Sequence, residues 1–308
     1  MSWLLVPPVT AGVLISSALV LTPFREYMTP REYAGDDQFV SVKSYSLHYT
    51  DEGPRDGIPV VMLHGATACS FTWRHQRKAF ADAGYRVITI DQIGHGASDR
   101  PNAPVYTTRL QAELILDAMD ALGIETAHLV GHSFGGRAAM QIAIIAPHRV
   151  LSLVAICPEA FATARPSIAV LVATPLIGQT IAFYSLAPVL VGTGLRHLSR
   201  SYDWLTSEAI AGYVRPFYVQ GTIAAQIWQA RSPKDGAQPV PTHLHAITQP
   251  TLLLWGSDDP VFPVTEGRQL SSILPNATLQ VFDPVGHLPH EEARDGITTA
   301  ILNFLRHP

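Results

Sequence analysis

The sequence predicts an α/β fold: a mostly parallel central sheet with helices on both faces and a helical insertion. Three observations carry that expectation. Short continuous apolar runs of strand length recur along the chain, separated by helix-length segments that stop at Gly or Pro. That rhythm breaks off near Pro158 and resumes at Thr251. Of the 308 residues, 47% are hydrophobic and only 15% charged, which is ample for one large buried core.

The elements follow in order. Gln38 to Thr50 alternates apolar and polar residues, the pattern of a hairpin at a sheet edge. Pro59 to Leu63 is a buried strand running into His64-Gly65, and a helix over Phe71 to Ala83 stops at Gly84. A strand over Val87 to Asp91, a helix over Leu110 to Leu122 and a strand over Ala127 to Gly131 come next. A helix over Phe134 to Ala146, halted by Pro147, and a strand over Val150 to Ile156 complete the first half. Strands apolar on every residue, alternating with helices, belong to a parallel sheet covered on both sides. From 158 to 247 no buried strand punctuates the chain, and runs such as Ser167 to Val191 are helix-permissive. A strand at Thr251 to Trp255, a helix near Pro263 to Leu274, a strand at Thr278 to Phe282 and a helix at Glu291 to Leu305 restore the alternation. Residues 37–157 and 248–308 therefore form one core, and 158–247 a helical lid over the strand ends where open α/β sheets bind ligands.

The first thirty residues stand apart. Trp3 to Thr22 carries no charge over twenty residues, about the length that crosses a bilayer as a helix. Pro7 and Pro8 weaken its start, no basic residue precedes it, and Arg25 and Arg31 follow it. Residues 1–30 are thus a candidate membrane anchor, and an apolar helix packed on a cytoplasmic domain is the alternative. A net charge of −4 without long like-charge blocks offers no surface for nucleic acid. Two cysteines, Cys69 and Cys157, make no disulfide framework and read as small buried apolar groups. Thirteen histidines fall in no metal-ligand spacing.

The strongest chemical signal is Gly131-His132-Ser133-Phe134-Gly135, a G-x-S-x-G between a buried strand and a helix. A strained strand-to-helix turn lifts the hydroxyl above the sheet, and small residues on either side let the backbone turn. The helix beneath presents free N–H groups to a developing oxyanion. A serine hydroxyl needs a base. His287 lies in the loop after the last strand, whereas His64, His95 and His132 sit inside other motifs, as structural or neighbouring groups. The base in turn needs a carboxylate. Asp258 and Asp259 both follow the strand ending at Trp255, and position alone does not choose between them; Glu159 is a third candidate.

His64-Gly65, the run from Asp91 to Asp99 (DQIGHGASD), Gly131 to Gly136, Gly256-Ser257-Asp258-Asp259 and Gly286-His287 together resemble the α/β-hydrolase fold family. The likeness runs from about Phe39 to Leu305 and points to the lidded branch of esterases, lipases and carbon–carbon bond hydrolases. The resemblance implies Asp259 as the acid, and an oxyanion hole made of the backbone N–H groups of Ala66 and Phe134. It implies no cofactor and no metal. Ser133 at the elbow departs from the Asp of epoxide hydrolases and haloalkane dehalogenases. His64-Gly65-Ala66-Thr67 departs from the HGGG loop of some lipases. The Asp91 to Ser98 run reads as a structural loop, and Trp73-Arg74 as a substrate contact or part of the core.

The expected function is a serine hydrolase acting on a small-molecule carboxylic ester with an apolar acyl or alcohol group. Ser133 attacks, His287 takes its proton and Asp259 supports His287. A carbon–carbon bond hydrolase using the same residues, and a small-molecule receptor that retains them, are the alternatives.

Overall fold

A computed structural model describes residues 8–161, 173–174, 177–185, 188–232 and 240–308. Eight strands form one sheet: β1 (Gln38–Val42), β2 (Tyr45–Glu52), β3 (Pro59–Leu63), β4 (Arg86–Ile90), β5 (Ala127–His132), β6 (Val150–Ile156), β7 (Thr251–Gly256) and β8 (Ala277–Phe282). They lie in the order β1-β2-β4-β3-β5-β6-β7-β8. β2 pairs antiparallel with β1 and β4, and β3 to β8 run parallel. Every residue of β4, β5 and β7 is buried, the mark of strands covered on both faces. β8, at the edge, alternates intermediate and exposed positions instead.

Helices Arg74–Asp82, Thr108–Ala121, Phe134–Ile145 and Val264–Ile273 connect the strands within a residue or two of the expected places. The helix expected at Phe71 opens as a 3-10 turn over Ser70–Trp73. The expected last helix is two, Pro289–Glu292 and Arg294–Arg306, broken at Ala293. The two glutamates before the break are tied to groups outside the helix. Glu291 and Glu292 are held by partners on distant elements: Arg74 and Tyr213 for Glu291, and the N–H groups of Gly286, Arg200 and Ser201 for Glu292.

Between β6 and β7 the described residues form helices Ile177–Ser185, Pro188–Leu198, Ser207–Val214 and Thr222–Arg231, with no strand among them. The apolar run Ile168 to Leu176 falls outside the described residues except for 173–174. The N-terminal segment, described from residue 8, is a helix over Pro8–Arg25 that rests on this insertion. Ser17 Oγ meets Tyr184 Oη at 2.7 Å, Arg25 donates to the Phe183 carbonyl, and Glu26 accepts the N–H groups of Gly221 (2.9 Å) and Ile223 (2.6 Å). Glu26 thereby caps the helix Thr222–Arg231 with a carboxylate at its positive end. Among the described residues no single helix is long and apolar enough to cross a membrane.

Candidate active site

β5 delivers Ser133 to the end of the sheet, and the turn there is strained: Ser133 has φ 50° and ψ −115°. Its own backbone holds it in place. The Ser133 N–H donates to the Ile156 carbonyl (2.9 Å), and its carbonyl accepts the N–H groups of Arg137 and Glu159 (both 3.1 Å). Space at the turn requires glycine. A Cβ on Gly131 would lie 2.5 Å from the Gly135 carbonyl oxygen, and one on Gly135 would overlap the carbonyls of Leu63 and His64.

His287 arrives from the loop after β8. Its Nε2 lies 3.1 Å from Ser133 Oγ and its Nδ1 lies 2.7 Å from Asp259 Oδ2. With Nδ1 donating to the carboxylate, Nε2 is free to accept the serine proton. The other carboxylate oxygen, Oδ1, accepts N–H groups from Val261 (2.7 Å) and Phe262 (3.0 Å). Burial pushes the Asp259 carboxyl upward, but the His287 hydrogen bond and charge and these two N–H groups outweigh it and hold the group below its ordinary value. Ser133, His287 and Asp259 are 9%, 5% and 7% exposed, a nearly buried constellation.

The geometry separates the two aspartates that position left equal. Asp258 is exposed and faces Arg200 Nε at 3.4 Å, while Asp259 faces His287. Glu159 lies beside the Ser133 backbone, its N–H donating to the Ser133 carbonyl, while the His287 Nδ1 contact is made by Asp259. Phe134 opens the helix Phe134–Ile145, and exposed Ala66 follows β3 and His64-Gly65. Phe134 directly follows Ser133, and the loop that carries Ala66 passes beside it: a Cβ on Gly65 would come 3.4 Å from Ser133 Cβ.

The rival histidines are buried and serve the framework. Burial, with the His287 ring beside it, drops His132 to about 3, and its Nε2 donates to the His287 carbonyl at 2.8 Å. Burial and the neighbouring His64 drop His95 likewise to about 3. His64 Nε2 accepts the Gln92 N–H at 3.0 Å. The run from Asp91 is a structural loop, as expected. Asp91, fully buried, accepts from His48 Nδ1 (2.7 Å), the Ser70 N–H (2.6 Å) and the Ala97 N–H (2.8 Å). Trp73 is fully buried and belongs to the core; Arg74 grips the Glu291 carboxylate through both guanidinium nitrogens, at 2.6 and 2.9 Å.

Three features lie beyond the sequence reading. The His287 N–H donates to the Leu198 carbonyl (2.7 Å), so the insertion itself fixes the loop carrying His287. Behind that loop runs a buried polar chain. His290 Nε2 meets Thr72 Oγ1 (2.7 Å), Thr72 meets Tyr213 Oη (2.7 Å), and Tyr213 donates to Glu291 (2.6 Å). Burial and the Asp259 carboxylate beside it push the Cys157 thiol well above its ordinary value. Partners from 78 to 218 residues apart leave no local trace, but Asp259-Pro260 is a turn signal that marks Asp259 as an acceptor for N–H groups two and three residues on.

The family model for the alpha/beta hydrolase fold matches residues 58–293. The chain belongs to this family. It is a hydrolase, with an eight-stranded, mostly parallel sheet as the resemblance implied. A 2-hydroxy-6-oxononadienedioate/2-hydroxy-6-oxononatrienedioate hydrolase of Burkholderia vietnamiensis is 30% identical over 283 residues, 84% of this chain and 91% of that one. The carboxylesterase YbfK of Bacillus subtilis is 28% identical over 276 residues, 87% and 86% of the two chains. Among solved structures, a membrane phospholipase A, described as a bacterial virulence factor, is 25% identical with a TM-score of 0.73. The match covers 97% of this chain and 94% of that one.

Proposed function

We propose that this hydrolase cleaves carboxylic esters through an acyl-enzyme on Ser133, with an apolar acyl or alcohol group in its substrate. The observation that carries the reading is the unbroken chain from Ser133 Oγ through His287 to Asp259, ending on two backbone N–H groups. Ser133 attacks the carbonyl carbon as His287 Nε2 takes its proton. The N–H groups of Phe134 and Ala66 hold the oxyanion, and Asp259 stabilises the imidazolium. His287 then protonates the departing alcohol. It next deprotonates a water that attacks the acyl carbon and frees Ser133. Residues 158–247 act as the lid over this site, and 37–157 with 248–308 as its frame.

The same reading takes the N-terminal helix to a membrane surface, with the helix lying on the interface beside the lid. Val20 and Phe24 on that helix are 64% and 76% exposed, and Val189 on the insertion is 79% exposed. Apolar side chains left in water on both elements support docking to lipid, as does likeness to a membrane phospholipase over nearly the whole chain.

A carbon–carbon bond hydrolase remains the second reading, favoured by the 30%-identical relative of that activity. Fluorophosphonate labelling followed by a p-nitrophenyl ester chain-length series, run beside dienoate ring-cleavage products, separates the two. Labelling lost in Ser133→Ala with turnover of medium or long esters supports the proposal. Turnover of the dienoates alone moves the protein to the second reading, and an unlabelled Ser133 removes both. Co-sedimentation of the full chain with phosphatidylglycerol vesicles, weakened in Phe24→Asp, tests the membrane arm.

A further inference from the structure

Acyl transfer leaves unused one group that touches the proposed relay. Cys157 follows β6, is fully buried, and adopts φ 41°, a left-handed backbone uncommon for a residue with a side chain. Its N–H is tied to the Leu254 carbonyl at 2.9 Å. Its Sγ, a carboxylate oxygen of Asp259 and a ring nitrogen of His287 lie within 4.8 Å of one another. Among the described residues it is the one such trio of His, Cys and acidic donors. We propose that Cys157, Asp259 and His287 form a binding site for a thiophilic divalent cation of the zinc type, and that occupancy switches hydrolysis off. The inhibitory half rests on reading His287 as the base; cation binding does not.

Sulfur, imidazole nitrogen and carboxylate oxygen are the zinc donor set, with water from the site mouth as the fourth ligand. Bonds of about 2.0–2.3 Å in a tetrahedron set the donors roughly 3.3–3.7 Å apart. To take the ion, the His287–Asp259 contact opens from 2.7 Å by about half an ångström and the sulfur, within 4.8 Å of both, draws in to that spacing. Charge favours the exchange: a dication with one thiolate and one carboxylate leaves the buried cluster neutral. The protons balance as well. The thiol releases one proton to solvent, and the Nδ1 proton of His287 moves to Nε2 as the cation takes Nδ1. The imidazole stays neutral, but Nε2 now carries hydrogen and cannot accept from Ser133. Magnesium and calcium, which require six or more oxygen ligands, do not suit the site.

The test uses the untagged full chain with Zn2+, Co2+ and Mg2+ chloride and a p-nitrophenyl ester, each variant compared with its own cation-free rate. Expected are inhibition by Zn2+ that EDTA reverses, no inhibition by Mg2+, and a thiolate-to-Co(II) charge-transfer band in the near-ultraviolet. Cys157→Ser should raise the half-inhibiting Zn2+ concentration by at least about tenfold and abolish the band. If Cys157→Ser fails to fold, Asp259→Asn serves for the spectroscopic arm and should weaken the band. Equal Zn2+ sensitivity in wild type and Cys157→Ser, equal inhibition by Mg2+, or no Co(II) band in wild type overturns the proposal. A band present in a protein without esterase activity upholds the site and refutes instead the reading of His287 as base in ester hydrolysis.

Discussion

Asp259→Asn is the sharpest perturbation of the relay, because the backbone dictates how the new side chain must sit. Oδ1 of Asp259 accepts two N–H groups, from Val261 and Phe262, and Oδ2 faces His287 Nδ1. Only an acceptor can serve two N–H groups, so asparagine must place its carbonyl there and turn its NH2 towards the ring. The NH2 donates to Nδ1, the imidazole carries its hydrogen on Nε2, and the path for the Ser133 proton closes. The substitution also removes the charge that steadies the imidazolium. Charge centres about 4 Å apart at an effective dielectric near 20 interact by about 4 kcal/mol. That alone is on the order of a thousandfold in rate.

With the wrong tautomer added, kcat/KM for a p-nitrophenyl ester should fall about a thousandfold to ten-thousandfold at neutral pH. Fluorophosphonate labelling of Ser133 should slow in step. The urea midpoint should hold, since both N–H groups keep their partner. Asp258→Asn is the internal control: exposed and paired to Arg200 across 3.4 Å, it should change the rate by less than about threefold. Retention of more than a tenth of the activity in Asp259→Asn, with the fold intact, would refute this account of the relay.

Gly135→Ala places a methyl group against the carbonyls of Leu63 and His64, and should lower unfolding free energy by about 3 kcal/mol or more in urea titrations; an unchanged midpoint counts against the packing described. Arg74→Met strands Glu291, and near neutral pH should remove about 3–5 kcal/mol. Burial already pushes the Glu291 carboxyl upward, and losing Arg74 pushes it further, so the folded variant holds a proton that the unfolded chain has released. The loss therefore grows as pH rises from the ordinary glutamate range through the raised value, and levels off above it; a loss equal at pH 5 and pH 8 contradicts this. For Asp91 the sign is opposite. Burial opposes its charge, but His48 and the Ser70 N–H outweigh burial and hold the carboxyl below its ordinary 3.8. Its contribution is complete above that value and is lost as pH falls below it, so Asp91→Asn should flatten the acid limb of stability measured from pH 7 to pH 2.

The sheet was legible in the sequence because parallel strands are buried on both faces and read as unbroken apolar runs, as in Val60 to Leu63 and Leu252 to Trp255. Ser133 was legible because a backbone this tight tolerates few residue types, and the glycines announce it. Asp259 was less so. It and Asp258 differ by one step along a loop, and what separates them is which carboxylate receives the Val261 and Phe262 N–H groups. The split of the last helix at Ala293 and the chain from His290 to Glu291 were not legible at all. Both go with contacts of residues 290 to 292 to residues 72, 74, 200, 201 and 213, which no local pattern encodes. The same holds for the N-terminal helix: its apolar composition signals burial or lipid, but Glu26 capping a helix nearly two hundred residues later ties it to the insertion.

His287 sits in a crowd of imidazoles. The His132 ring lies 5.0 Å from it, His290 lies 4.5 Å from His132, and His64 and His95 meet edge to face at 4.9 Å. Burial, joined at His95, His132 and His290 by repulsion from neighbouring imidazoles, holds these three and His64 below the ordinary histidine range, so none of them carries charge near neutral pH. In the proposed mechanism a proton taken from Ser133 therefore has one favourable acceptor, the ring with a carboxylate 2.7 Å away. The neutral imidazoles also cannot draw the Asp259 charge away from His287. They supply shape and donors: His132 spends its Nε2–H on the His287 carbonyl and so fixes the His287 backbone from behind. Of these crowded imidazoles His287 alone is set between a carboxylate and the Ser133 hydroxyl, which supports its proposed role as the base.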